Sequence, residues 1–392
     1  MNPSKINSQL TSKVLLLGLT VLGASLSLTI AVVNTLLALA LLYMLACHRD
    51  FMLKQAQQPY IRYILASALL FQCIELIHDG LIVSKAGKLL LIFALTLMLG
   101  KLLNSMKIPY FNYLFLSMAV GLIAGTIINQ YLNPHYPLWA TYSMTYANQA
   151  AGLAITIGLL SLVSKKWWII VPSLAGMLLY TYMSGERAAI LAFAGALLIL
   201  LFLLRKYKIL TALTVITITF FSFLPSTTIQ QQYEHNVRFD IWHHGILIAQ
   251  QDHFLGRGEK HQLNQSELDL YKSYATGPGL NYFQRAMPDK PTAHYNVLYH
   301  NQYIQYLVEY GILGLIIFLI FLCVPITHVW RQKTIEFPNI VFIMIWTAFA
   351  IHCMFETSFD NHTAIILGLL SGLMLPQKHP TPELPKASHQ TS

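Results

Sequence analysis

Four polar residues cluster near position 300, where the chain enters an apolar segment. His300, Asn301, Gln305 and Glu309 stand in the run HNQYIQYLVEYGILGL, from His300 to Leu315. If a helix begins near His300, then Asn301, Gln305 and Glu309 recur every four residues and form one polar stripe. Ionisable groups are costly in lipid, so the stripe should face the protein interior or a wet cavity. A neutral imidazole accepts a proton from a hydroxyl near pH 7, which makes His300 a candidate general base.

The same stripe also has a structural interpretation. Asn301 and Gln305 are secondary site candidates together with Glu309, but their amides are equally suited to joining helices by hydrogen bonds. Gly311 lies eleven residues beyond His300, close to three helical turns, so it falls on about the same face. We expect Gly311 to allow close helix packing.

Two arginines are candidates for binding a phosphate group. Arg187 begins an apolar helix in SGERAAIL, from Ser184 to Leu191, so its guanidinium and the positive end of the helix dipole act on one spot. Arg238 stands at the start of an amphipathic segment, where its planar fork can hold a pair of phosphate oxygens. The alternative for both arginines is snorkelling to lipid headgroups.

Other polar residues of the same region carry weaker signals. The loop histidines, including His235, His243 and His253, match no zinc-ligand spacing, and we predict neither a metal nor a cofactor. Acidic residues at the ends of apolar helices are secondary candidates for binding an acceptor, with simple solvation of the helix ends as the alternative: Glu75, Asp79, Glu356 and Asp360.

The elements that must position these residues are membrane-spanning helices. The chain is 55% hydrophobic and 10% charged, whereas a soluble domain carries about 25% charged residues. Apolar runs bounded by charge, Pro and Gly predict about twelve spans. They lie approximately at 12–28, 31–47, 60–78, 86–104, 109–129, 145–164, 166–184, 187–204, 208–224, 301–329, 337–355 and 359–375.

The short loops predict the orientation of these spans. Most of the 25 basic residues fall on the side that carries both termini, which places that side in the cytoplasm. The domain organisation predicted is spans 1–9 in residues 1–224, an outer loop with short helices in 225–299, spans 10–12 in 300–375 and a disordered cytoplasmic tail in 376–392. Within the loop, Val237, Ile241, Trp242 and Ile248 share a helical face that could lie on the membrane surface.

Three motifs in order resemble the O-antigen ligase family. The run from His300 has a His, ten further residues and a Gly, with a Val-Glu-Tyr-Gly-Ile-Leu-Gly ending. NVRFDIWHHGILIAQQDHFLGRG, from Asn236 to Gly258, has an Arg followed by Trp and a Leu-Gly-x-Gly turn, with Phe254 where many relatives have Pro. SGERAAIL contains the family's Arg-x-x-x-Leu.

The resemblance implies an all-α polytopic membrane protein of the GT-C type in the bacterial inner membrane. It implies a glycosyltransferase that moves O-antigen polysaccharide from undecaprenyl diphosphate to the lipid A-core oligosaccharide on the periplasmic face, inverting the sugar linkage without a metal. His300 would act as base on the attacking sugar hydroxyl, orient the acceptor or bind the diphosphate as a cation. Arg187 and Arg238 would bind the donor diphosphate, and Arg238 would also stabilise the leaving group.

Three other functions fit parts of the sequence. An O-antigen polymerase uses the same donor, but usually has two sizeable basic outer loops, whereas the loop near 129–144 holds no Lys or Arg. A protein O-oligosaccharyltransferase of the same superfamily fits because nothing identifies the acceptor. A lipid-linked glycan transporter would explain Glu309 and His352 as a proton relay, but the internal repeats that often mark transporters are absent from the sequence. No pattern indicates nucleic-acid binding.

We expect a reporter enzyme fused after Ser266 to be active outside the cytoplasm, because the basic residues of the short loops place that loop outside. Fusions after Trp168, in a turn predicted to be cytoplasmic, provide the matched control and should give the opposite result. A Ser266 reporter that is active only in the cytoplasm would overturn the topology and the location of the site.

Overall fold

The computed structural model describes residues 3–80, 83–106, 110–132, 147–184, 186–213, 215, 237–259, 299–331 and 335–374. These residues are 85% helical and contain no strand. The helices in chain order are α1 (Pro3–Ser25), α2 (Ile30–Cys47), α3 (Arg49–Ala56), α4 (Pro59–Asp79), α5 (Lys85–Ser105), α6 (Tyr110–Leu132), α7 (Ala147–Ser161), α8 (Trp167–Met183), α9 (Arg187–Leu203), α10 (Val237–Gln251), α11 (Gln302–Trp330), α12 (Phe337–His352) and α13 (Asn361–Met374).

The helices agree with the predicted spans in position, but not all are long enough to cross a membrane. Among the described residues, α4, α5, α6 and α11 have the necessary length and apolar character. The pair α2 and α3 qualifies only together, and it is bent by 101°. Shorter apolar helices, α1, α7, α8, α9, α12 and α13, account for most of the other predicted spans. The predicted span 208–224 lies largely outside the described residues, so the number twelve stays a prediction.

Helices α5 and α13 form the most closely packed pair. A Cβ on Gly100 would lie 2.4 Å from the carbonyl oxygen of Leu369, and one on Gly372 would lie 2.1 Å from that of Leu97. Only glycine permits the two backbones to come this close. Almost every residue of α13 is buried. This pair is therefore the central support of the helix bundle, although its partners are separated by more than 250 residues of sequence.

Small residues also set the contact between α9 and α12. Ala188, Ala189, Ala192 and Ala196 recur on one face of α9 and are buried. A Cβ on Gly195 would meet the end of the Ile351 side chain at 2.1 Å. Because the small residues allow close approach, the middle of α9 packs against the end of α12.

An aromatic cluster joins α11 to its neighbours. The centroid of the Phe321 ring lies 5.0 Å from the ring centroid of Phe93 in α5. The corresponding centroid distances are 5.5 Å to Trp346 in α12 and 5.3 Å to Phe359. These edge-on and tilted arrangements are the ones that aromatic rings favour. The cluster therefore fixes α11 relative to α12 and to the loop after α12.

Helix α10 confirms the helix predicted at the start of the long loop, but its apolar face is covered by protein. Ile241 and Ile248 are buried and pack in one cluster with Tyr299 and Val308. The prediction that this face lies on the membrane surface is therefore wrong. The physical reason is that α11 presents an apolar face beside α10, and burial of the apolar face of α10 against it is favourable.

We expect Gly372→Ala to lower the stability of the protein, because the new methyl group would collide with the Leu97 carbonyl and overpacking costs about 1–3 kcal/mol. Gly176→Ala in α8 is the control, since nothing lies within 4 Å of a Cβ there and alanine is the better helix former by about 1 kcal/mol. Thermal unfolding of both variants in the same detergent measures the difference. A Gly372→Ala protein as stable as the control would contradict the packing described.

Candidate functional site

The start of α11 differs from the predicted one by two residues. The helix begins at Gln302, and Asn301 is its N-cap, with a side-chain oxygen that accepts from the backbone N–H groups of Tyr303 at 3.0 Å and Ile304 at 3.1 Å. His300 lies outside the helix with a φ of 48°. This left-handed backbone is uncommon for a residue with a side chain and persists where the surroundings enforce it. His300 therefore projects in a direction that a continuous helix would not give.

Asn301 and Gln302 also hold the loop between α12 and α13. The Asn301 amide donates to the carbonyl of Met354 at 2.8 Å, and the backbone N–H of Gln302 donates to the carbonyl of Cys353 at 2.8 Å. The Gln302 side chain accepts from the backbone N–H of Phe359 at 3.1 Å. Because these bonds span the loop from its first residues to its last, the loop is fixed directly beside His300.

The carboxylate of Glu356, in this loop, joins the two residues predicted to carry catalysis. Its Oε2 lies 3.1 Å from Nδ1 of His300, and its Oε1 forms an ion pair with the Arg238 guanidinium. Arg238 also donates to the carbonyl of Phe355 at 3.1 Å. The Glu356 side chain is 3% exposed, while those of Arg238 and His300 are 36% and 28% exposed. The arginine and histidine side chains thus reach open space while their shared partner is buried.

A second carboxylate lies near this group. Glu186 immediately precedes α9, and its pKa is raised to about 7 by burial and by the negative charge of Glu356, partly opposed by the positive charges of Arg238 and His300. A buried carboxylate is more easily protonated because burial disfavours its charged form. Arg187 is the first residue of α9 and is exposed, with no hydrogen bond or ion pair to the described part of the chain.

Gly311 interrupts α11, contrary to the prediction of simple helix packing. It has a φ of 70° and a ψ of −168°, and a Cβ there would lie 2.5 Å from the carbonyl oxygen of Phe254. The interruption leaves carbonyl groups of α11 to accept from the turn after α10, from Arg257 to Val308 at 2.9 Å and from Gly258 to Glu309 at 2.8 Å. Only glycine combines this backbone with so close a neighbour.

Gln305 links the backbone before α11 to Glu309. The Gln305 side chain accepts from the backbone N–H of Tyr299 at 3.1 Å and donates to the Glu309 carboxylate at 2.6 Å. These bonds connect the residue before His300 with the end of the first part of α11. Asn301 and Gln305 are buried, and the structural interpretation accounts for both.

The remaining acidic candidates differ from solvated helix ends. Glu75 is fully buried, and its carboxylate accepts from the backbone N–H of Glu259 at 3.2 Å. Glu259 in turn accepts from Ser84 at 3.0 Å and from the backbone N–H groups that begin α5. Asp360 accepts from the backbone N–H of Thr363 at 2.8 Å at the start of α13. The side chain of Asp79 lies outside the described residues.

No group of three or more His, Cys, Asp or Glu in the described ranges could hold a metal ion. His235 lies outside those ranges, as does loop segment 260–298. His243 and His253 are described, and neither takes part in such a group.

Sequence reasoning found His300 and Arg238, which the structure brings together, and it placed Glu356 only among the secondary candidates. It missed Glu186, although this residue stands inside the first motif, next to Arg187. The available signal was an acidic side chain directly before Arg187, at the start of a helix that is otherwise apolar.

A model of the family described as O-antigen ligase matches residues 172–319. The match begins inside α8, ends inside α11 and contains the three motifs, with Glu186, Arg238 and His300, whereas Glu356 lies beyond it. No curated protein matches the chain. The resemblance indicated by the three motifs is thus confirmed, and residues 172–319 are similar to the O-antigen ligase family.

Proposed function

We propose that this multi-pass membrane protein is a glycosyltransferase that transfers O-antigen polysaccharide from undecaprenyl diphosphate to the lipid A-core oligosaccharide on the periplasmic face of the inner membrane. The observation that carries the proposal is the Glu356 carboxylate, which holds a histidine and an arginine side by side with both side chains partly exposed. Transfer from a lipid diphosphate needs a base for the acceptor and a cation for the leaving group.

His300 is suited to act as the base. A carboxylate can only accept hydrogen bonds, so Glu356 favours the tautomer in which His300 carries its proton on Nδ1. Nε2 is then the acceptor for the proton of the attacking sugar hydroxyl. The left-handed backbone of His300 and the caps around it fix the ring, so that little reorganisation accompanies proton transfer.

Arg238 is suited to bind the diphosphate. Its guanidinium is anchored on the Phe355 carbonyl and on Glu356, and the rest of the side chain is accessible. A charge-assisted contact to the bridging oxygen or a terminal phosphate oxygen would strengthen as the sugar–oxygen bond breaks and negative charge collects on the leaving group. The exposed Arg187, at the positive end of α9, extends this phosphate-binding surface.

The proposed reaction is an inverting displacement. The hydroxyl oxygen of the acceptor forms a bond to the anomeric carbon, the bond from that carbon to the diphosphate oxygen breaks, and the hydroxyl proton passes to His300. Undecaprenyl diphosphate leaves with the electron pair. The donor is already activated, so the described residues perform the reaction without a nucleotide or a metal. A polymerase or a protein O-oligosaccharyltransferase would use the same chemistry with a different acceptor, and competing acceptors in one assay distinguish them.

His300→Ala is expected to lower turnover by about 10² to 10⁴, the usual contribution of a general base, while the affinity for the lipid diphosphate is largely kept. Arg238→Ala should weaken donor binding as well as turnover, and Arg238→Lys should restore only part, because lysine lacks the two-pronged geometry. The measurement is transfer of a labelled lipid-linked glycan between lipids in detergent with excess chelator, alongside direct donor binding.

Controls for this experiment come from the other end of α11 and α12. His328→Ala and Glu336→Gln change exposed residues of the same types and should keep full activity. Glu356→Gln, which preserves size but removes the shared charge, should lose most turnover. A His300→Ala protein with normal turnover would show that the base is elsewhere, and one that fails to bind donor would place His300 in the phosphate site.

Donor affinity should fall as the pH rises through about 7, because Glu186 is neutral below this pH and adds a negative charge beside the diphosphate above it. The groups that act on Glu186 through their charge are Glu356, Arg238 and His300. Glu186→Gln, permanently neutral, isolates the carboxyl contribution and should bind donor more tightly than wild type at pH 8, but equally at pH 5.5. Unchanged affinity at pH 8 would show that Glu186 does not face the donor.

A further inference from the structure

A cavity lies between α7, α12 and α13, behind the loop that carries Glu356, and several polar side chains interrupt its largely apolar lining. Its volume, measured by the centres of water-sized spheres, is about 40 Å³. One water molecule needs roughly 10–15 Å³ by this measure, so the cavity has room for about three. The polar residues in the lining are Gln149, Thr156, His352, Ser358, Asp360, His362 and Thr363.

Two of these residues have polar atoms without a hydrogen-bond partner. His352 is 3% exposed, its Nδ1 lies 2.9 Å from the Ser358 hydroxyl, and its Nε2 has no partner in the described part of the chain. Oδ1 of Asp360 accepts a hydrogen bond from the backbone N–H of Thr363. The buried Oδ2 of Asp360 has no hydrogen-bond partner in the described part of the chain. Nδ1 of His362 lies 3.8 Å from Oδ2, too far for a hydrogen bond.

Leaving both atoms unpaired would be costly. A buried polar group that makes no hydrogen bond costs about 1–3 kcal/mol, and more if it is charged. Buried polar groups with space beside them are regularly satisfied by ordered water that makes about three hydrogen bonds. The cavity offers the donors and acceptors that such water requires, on three different helices.

We propose that this cavity binds a small cluster of ordered water molecules that bridges His352 Nε2 and Asp360 Oδ2 and thereby positions Glu356. The inference deepens the proposed function and rests on it. The link to the site is the His352 backbone, whose carbonyl accepts from the N–H groups of Phe355 at 3.1 Å and Glu356 at 3.0 Å. His352 thus holds one end of the loop through its carbonyl and the other end through Ser358.

The role of the water is to hold the imidazole of His352 in place. With Nδ1 on Ser358 and Nε2 on water fixed by Asp360, the ring has one orientation, and the loop that presents Glu356 has one conformation. Since Glu356 in turn orients His300 and Arg238, His352 and Asp360 are positioning residues for transfer. Misplacement of a catalytic group by about 1 Å can cost on the order of 10² in rate.

The first test is a high-resolution electron cryo-microscopy structure of the full chain in lipid nanodiscs. We expect density for water within hydrogen-bond distance of His352 Nε2 and Asp360 Oδ2. A dry cavity would overturn the proposal even if the protein is an active transferase. If the protein showed this water density but had no transfer activity, the water site would be supported and only the proposed function would be overturned.

The second test replaces His352 by its two partial mimics. A Gln amide reaches the position of Nε2, whereas an Asn amide reaches only that of Nδ1. If water at Nε2 positions the loop, His352→Gln should keep most of the turnover and His352→Asn should lose about tenfold, with the KM for the donor unchanged in both. If His352→Asn kept more turnover than His352→Gln, the contact of Nδ1 with Ser358 alone would position the loop. That result would overturn the proposal.

The third test compares a variant that fills the cavity with one that removes the charge of Asp360. A Cβ on Gly152 would lie 3.6 Å from His352 Nδ1, an ordinary contact, so Gly152→Ala is the matched control. The larger Gly152→Val should displace water and lower kcat about tenfold with little change in the donor KM. Asp360→Asn, which keeps the bond to Thr363, should lower kcat in the same way. Normal kcat in both Gly152→Val and Asp360→Asn would contradict the positioning role.

Discussion

The interaction on which the site depends is the pairing of one buried carboxylate with an arginine and a histidine side chain. Glu356 is almost wholly inaccessible to solvent, and a carboxylate in such a place is costly unless it is paired and hydrogen-bonded. Arg238 and His300 supply that pairing. The two side chains come from α10 and from the residue before α11, and the loop after α12 carries the carboxylate that joins them. Replacing Glu356 by an apolar residue would remove this link between Arg238 and His300, whereas the hydrogen bonds of Asn301 and Gln302 to the loop would remain.

The break in α11 provides the second constraint. An interrupted helix in a membrane protein exposes backbone carbonyls, which must be satisfied by other protein groups. The turn after α10 satisfies them through the N–H groups of Arg257 and Gly258. Because that turn directly follows α10, its docking on Gly311 fixes one end of α10, while the ion pair of Arg238 with Glu356 fixes the other. A helix held at both ends can present its arginine with little freedom.

Much of the fold could be predicted from the sequence, because apolar length and bounding charges determine where helices form. The site was predicted less completely, for physical reasons that differ from residue to residue. Periodicity assumes one continuous helix, so it could not foresee the left-handed backbone at His300 or the interruption at Gly311. Glu356 gained its importance from neighbours that are distant in the sequence. The contact of Gly100 with Leu369 likewise depends on which helices meet, and a sequence pattern along one helix does not contain that information.

The charge balance of the site is compatible with the proposed anionic donor, although the site contains the buried acid Glu356. Glu356 carries the charge that holds Arg238 and His300, and it is directed away from solvent, so it does not meet the diphosphate. The pKa of Glu186 is raised to about 7. At neutral pH its carboxyl group is therefore uncharged in a large share of the molecules. The accessible surface is then formed by Arg238, His300 and the positive end of α9 with Arg187. This exposed face is the one that we propose for the diphosphate donor, while the buried carboxylate orients the His300 imidazole.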